Sequence, residues 1–110
     1  MKKIYPAIFT QTEDVVLIEV PDLKILTQGK DLVDAIDMAR DAIGLAIITM
    51  QDRNQEVPDS TPEKRIDILQ ATFANDGKSI ISLVDVDIDA YRRKYDNKTV
   101  RRNVTLPNWL

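Results

Sequence analysis

Cysteine and histidine are both missing from this chain of 110 residues. Without Cys there is no disulfide framework, no thiolate nucleophile and no thiolate metal site. That fits a reducing compartment. Without His, the usual general base at neutral pH and the commonest transition-metal ligand are gone together. The three Gly stand isolated at positions 29, 44 and 77, so no Gly-rich phosphate loop exists. Long apolar runs are also lacking: the most apolar stretch, "AIGLAIITM" at 42–50, is far too short for a membrane span. The opening "MKKIYPAIFTQTEDV" is interrupted by Pro6, Thr10 and Gln11, unlike a secretory leader. These absences predict a soluble, cytoplasmic protein with no membrane role, no cofactor and no metal.

What is present is ordinary for one globular domain: 44% hydrophobic and 30% charged residues, with enough chain for one modest core. The net charge of −3 hides a division. Residues 1–90 hold nine Lys/Arg against seventeen Asp/Glu, a balance of −8. Residues 91–110 hold six Lys/Arg against Asp96 alone, a balance of +5. An acidic body with a basic tail implies two partners, one cationic and one anionic.

Period and turn signals give the order β-β-β-α-β-α, an α+β chain. "KKIYPAIFTQ" at 2–11 and "DVVLIEV" at 14–20 read as a hairpin closed at Thr12-Glu13-Asp14. A short third strand is expected near 24–28 after the Pro21-Asp22 turn signal. Asp31 is placed to cap a helix from Leu32 to about Asp52. Leu32, Ile36, Ala39, Ile43, Ala46 and Met50 make its apolar stripe, with Asp34, Asp37, Asp41 and Gly44 on the wet side. The second half of that helix adds Leu45, Ile47 and Ile48, so it is apolar on two sides and must bury both. Either the sheet curls round it or a second copy covers it. Leu45, Ile47, Ile48 and Met50 are therefore the expected contacts of a homodimer or tetramer. Thr61-Pro62-Glu63 can open one helical turn in the polar loop 51–65, and residues 66–76 have no clear period. "KSIISLVDVDI" at 78–88 is the best strand, and "DAYRRKYDN" at 89–97 reads as a short helix with Asp89 near its cap.

The acidic run "DVDIDA" is the one stretch with a catalytic look. Asp85, Asp87 and Asp89 alternate along one strand face, as a metal-dependent nuclease of RNase H-like type would place its carboxylates. Three acids so spaced spread over roughly 13 Å, too far to share an ion unaided. As a calcium loop the run fails at Ala90, where a Gly is needed, and carries Arg92 and Arg93 inside. A binding protein, not an enzyme, is the expectation. An orphan oligomerisation domain is the third reading.

Several stretches, in order, resemble the HicB antitoxins of bacterial toxin–antitoxin pairs. "IYPAIF" at 4–9 is similar to that family's opening strand, and "IEVPDL" at 18–23 to its second strand and turn. "TQG" at 27–29 followed by "LVDAIDMARDAI" resembles the entry to its long helix. "VDVDIDAYRRKYDNKTVRR" at 84–102 resembles the link into a C-terminal DNA-binding half. One departure is visible: Lys24-Ile25 stand where the family usually carries Pro-Gly-Cys, one residue longer.

The resemblance implies a toxin-binding domain over residues 1–96 with a partial RNase H-like sheet, one long helix and no nuclease activity. Its implied partner is a HicA-type toxin, a small basic mRNA-cleaving protein, which an acidic body favours; the contacting residues are not legible. It also implies that residues 97–110, ending "VRRNVTLPNWL", begin a ribbon-helix-helix module that binds operator DNA and represses its own operon. In that extended form Arg101, Asn103 and Thr105 share the DNA-facing side. Val104 and Leu106 share the inward, dimerising side. The module's helices are absent, so this form is expected to bind operator DNA weakly.

Overall fold

The computed structural model describes residues 1–105 and, residue 63 apart, the side chains up to residue 96. Four strands form one antiparallel sheet: β1 (Lys2–Gln11), β2 (Val16–Val20), β3 (Ile25–Gly29) and β4 (Lys78–Asp87). Their order is β3-β2-β1-β4. Two helices complete the chain, α1 (Leu32–Asp52) and α2 (Ile88–Thr105). The β-β-β-α-β-α order expected from the sequence is the order found.

The hairpin closes on Thr12, whose hydroxyl accepts from the Val15 N–H at 3.0 Å and donates to its carbonyl at 2.7 Å. Pro6 sits inside a ten-residue strand without harm. The Ile88 N–H donates to the Met1 carbonyl, so by alternation odd residues of β1 bond β4 and even ones face β2. Pro6 thus lacks its N–H only on the β2 side, beyond the end of that strand at Val20. After the 3₁₀ turn Pro21–Leu23, Lys24 takes a left-handed backbone at φ 56°. The chain turns here through a conformation that strains Lys and suits Gly.

Helix α1 starts as expected. The Asp31 carboxylate accepts the Asp34 N–H at 2.8 Å, and Asp34 accepts the Lys30 N–H in return. It ends in a Schellman motif: Gln55 N–H to Met50 O, Asn54 N–H to Gln51 O, with Asn54 left-handed at φ 55°. The buried stripe differs from the expected one. Ala35, Ala39, Ile43 and Ile47 are the fully buried positions, while Leu32 is 43% exposed. The reason lies in β3: a Cβ on Gly29 would fall 2.5 Å from the Ala35 nitrogen. Helix and strand approach so closely there that only small residues fit between them, which rotates the stripe toward Ala35 and Ala39.

The core lies between α1 and the inner sheet face, built on Tyr5, Phe9, Ile18, Val84 and Val86. Each large apolar side chain so buried contributes about 1.5–3 kcal/mol. The opposite face is partly covered by the segment after α1, with 3₁₀ turns at Glu63–Arg65 and Ile68–Gln70. Three anchors hold that segment. Thr61 donates to Asp22, Thr72 donates through N–H and Oγ1 to Glu19 (2.9 Å each), and Tyr5 donates to the Pro58 carbonyl at 2.6 Å. Among the described residues, no helix is long and apolar enough to cross a membrane.

Two expectations are corrected. The final extended segment is not a strand through Thr105; α2 continues to that residue. A ribbon strand needs a second strand to satisfy its backbone, whereas a single chain satisfies those groups by local helical bonds. The second correction concerns the two-sided helix. Ile47 and Ile48 are buried within the single chain, so neither is open to a second copy. Within the single chain, helix α2 covers the second side of α1.

Candidate functional site

The docking of α2 on α1 creates a marked concavity. Gly44, expected on the wet side, lies under the Tyr91 ring, with an added Cβ only 2.6 Å from its Cγ and Cδ1. The Tyr91 hydroxyl donates to Asp41 at 3.0 Å, and its ring stacks on Tyr95 at 6.1 Å and 16°. Burial, then the bond to Asp41, pushes the Tyr91 hydroxyl well above its ordinary pKa. Arg92 clamps the last turn of α1, bonding Asp52 at 3.0 Å, Gln51 at 2.9 Å and the Ile48 carbonyl at 3.5 Å. A cation at a helix C-terminus also complements its dipole.

The groove between α1, the end of β4 and α2 has a volume of about 770 Å³. Four carboxylates line it (Asp37, Asp41, Asp85 and Asp87), with Leu45 and the two tyrosines supplying its apolar wall. Lys2, Arg40 and Lys94 offset part of that charge. Arg40 reaches over the sheet edge to Asp85, donating to its carbonyl and carboxylate at 3.2 Å each. Both side chains are about half exposed, so the pair contributes on the order of 0–1 kcal/mol. The groove is a concave, acidic, partly aromatic surface.

The aspartates with a catalytic look are each engaged structurally. Asp85 holds Arg40, and Asp87 accepts the Ala90 N–H at 3.1 Å, making it, rather than Asp89, the acid that caps α2. Asp89 pairs with the N-terminal ammonium, which holds its carboxyl below the ordinary carboxylate range. Among the described residues no three His, Cys, Asp or Glu are grouped to hold a metal ion. Of the expected oligomer contacts, Leu45 lies in the groove wall and Met50 packs partly buried against the core. Val104 falls on the backbone of α2, as do Arg101, Asn103 and Thr105, whose side chains lie outside the described set; Leu106 lies outside it altogether. The sequence reading missed Tyr91, Tyr95 and Arg92 as the lid of the second α1 face. The spacing of four between Tyr91 and Tyr95, which puts both rings on one side of α2, was the available signal.

The geometry defines an antiparallel α+β domain with a carboxylate-lined groove beside its two helices. Comparison gives the family. The sequence model for the HicB-like antitoxin of bacterial toxin–antitoxin systems matches residues 5–110, and the chain belongs to that family. Among solved structures, a chain of a toxin–antitoxin complex from Streptococcus pneumoniae superposes with a TM-score of 0.73 at 22% identity. The match covers 83% of this chain and 73% of that one. A chain of the HicA3 and HicB3 toxin–antitoxin complex superposes with a TM-score of 0.59 at 22% identity, over 76% and 98% respectively. At that identity the two structures establish likeness of fold. The comparison with curated proteins gives no match.

Proposed function

We propose that this chain is the antitoxin of a HicA-type toxin: it binds that small basic mRNA-cleaving protein and masks its active surface. Family membership is the observation that carries the reading. The balance of −8 over residues 1–90 supports it, because an acidic body attracts and orients a cationic partner. The groove bearing Asp37, Asp41, Asp85 and Asp87 is the docking surface in this reading, on a sheet taken as a partial RNase H-like core. Asp37 has no hydrogen-bonded side chain among the described residues, so its charge is open to a partner. Copurification of the toxin with this chain from a co-expressing cell tests the proposal, with loss of the complex in Asp37→Lys as the expected control.

Repression of its own operon is the second part of the proposal, supported by the balance of +5 over residues 91–110. Basic residues there supply phosphate attraction that weakens with salt, and Arg101, Asn103 and Thr105 are the base-reading candidates in the form in which this segment leaves α2 and pairs as a ribbon with a second chain. A gel shift on operator DNA at two salt concentrations tests it. Arg101→Ala is expected to weaken binding by about 1–3 kcal/mol if a base contact is lost.

A further inference from the structure

The chain between α1 and β4 is pinned at both ends and loosely held between them. Asn54, left-handed at φ 55°, closes α1, and Gly77 presses on the Gln11 carbonyl, where an added Cβ would fall 2.0 Å from the oxygen. From residue 56 to residue 76 the backbone bonds to itself: the N–H groups of Arg65, Gln70, Ala71, Ala74 and Asp76 each donate three residues back. Among the described residues no backbone-to-backbone bond joins this stretch to the sheet or to a helix. None of its described side chains is fully buried, Val57 packs only partly against the core, and Leu69 is 82% exposed. Yet beneath it, on the sheet face away from α1, Ile8 is 2% and Thr10 0% exposed.

Two carboxylates fasten it. Asp22 accepts the Thr61 N–H at 2.8 Å and its hydroxyl at 2.5 Å, and Glu19 accepts the Thr72 N–H and hydroxyl at 2.9 Å each. The two latches repeat one motif, a Thr presenting its N–H and Oγ1 to a single carboxylate. Tyr5 adds its bond to the Pro58 carbonyl at 2.6 Å. Glu19 stands across from Ile8 in the β1–β2 ladder, so the second latch sits beside the covered patch. We infer that residues 56–76 are a strap that lifts from the sheet as one unit while the four-stranded fold stays closed. Lifting breaks no ladder bond and none of the strap's own turns, so it lies far below global unfolding in free energy. It bares Ile8 and Thr10. The two latches release together because the turns at Glu63–Arg65 and Ile68–Gln70 shorten the span between Thr61 and Thr72. Each latch, while shut, holds the other Thr at a high effective concentration beside its carboxylate. Opening either one therefore weakens both.

Trypsin reads the lifted state, because a protease needs several residues in extended form and Lys64 and Arg65 sit exposed in a 3₁₀ turn. Cutting there follows the open population, and product masses separate it from cutting in the basic tail. Glu19→Gln and Asp22→Asn in the full chain are each expected to speed it about tenfold, with the urea midpoint nearly unchanged. Hydrogen exchange reads the coupling: Glu19→Gln is expected to speed the Thr61 amide, and Asp22→Asn the Thr72 amide, by about the same factor. Amides of β1 should keep their wild-type rates. Unchanged cutting in both variants overturns the inference, as does faster cutting that a lowered urea midpoint accounts for. Exchange quickened only at the Thr facing the altered carboxylate overturns it too, since the strap then opens in separate halves.

Discussion

Replacing Gly44 by Ala tests whether α2 is seated on α1 as described. An ordinary Gly→Ala change inside a helix stabilises it by about 1 kcal/mol. Here the new Cβ would lie 2.6 Å from Cγ and Cδ1 of Tyr91, where carbon atoms need about 3.5–4.0 Å. Both atoms are near the root of the side chain, so a rotation of the ring tip cannot relieve the overlap. Tyr91 must withdraw by about 1 Å, at an overpacking cost of about 1–3 kcal/mol. The bond from its hydroxyl to Asp41 is strained or lost, adding about 0.5–1.5 kcal/mol. The net expectation is destabilisation by about 0.5–3.5 kcal/mol. In a Tyr91→Ala background the obstacle is gone, and Gly44→Ala should then stabilise by about 1 kcal/mol. Urea unfolding of the four chains reads this inversion of sign as a coupling of about 1.5–4.5 kcal/mol. Stabilisation of the wild type by Gly44→Ala would refute the packing of α2 and with it the groove.

Lys24→Gly should raise stability by about 0.5–1 kcal/mol in the same assay, because it relieves a left-handed backbone at φ 56°; a loss would mean the Lys24 stem makes contacts that outweigh the strain. Alkaline pH should destabilise the fold through its tyrosines. Burial raises the Tyr5 hydroxyl, helped by Asp22 and Asp59, and burial with Asp41 raises Tyr91. In the folded state the neutral form is favoured, so this stability is fully present below the unfolded value near 10 and declines as pH rises above it. Thermal midpoints measured from pH 7 to 11 should fall above about pH 10, and the fall should be shallower in Tyr5→Phe; an unchanged slope would contradict the burial of that hydroxyl.

Local signals carried most of the elements. Asp31 and its reciprocal partner Asp34 mark the start of α1, and Asn54 supplies the left-handed residue that ends it. What stayed hidden was set by non-local contacts. Nothing near Ala35 shows that Gly29 will press against it, so the bulky Leu32 looked like core and is 43% exposed. Gly44 reads as wet until Tyr91, distant in sequence, is known to lie over it. The segment 100–105 alternates like a strand, yet no partner strand for it exists among the described residues, and α2 continues instead. In the groove, the acids were legible as residue types, but their convergence depends on how α2 turns back after Asp87.

Calorimetric titration of this chain with its HicA-type toxin, at low and at physiological salt, tests the central claim most directly. A complex with Kd at or below about 1 µM is expected, weakened by added salt and by Asp37→Lys, with toxin cleavage of mRNA suppressed at saturation. No heat of binding by a folded chain, or toxin activity undiminished at saturation, would contradict it.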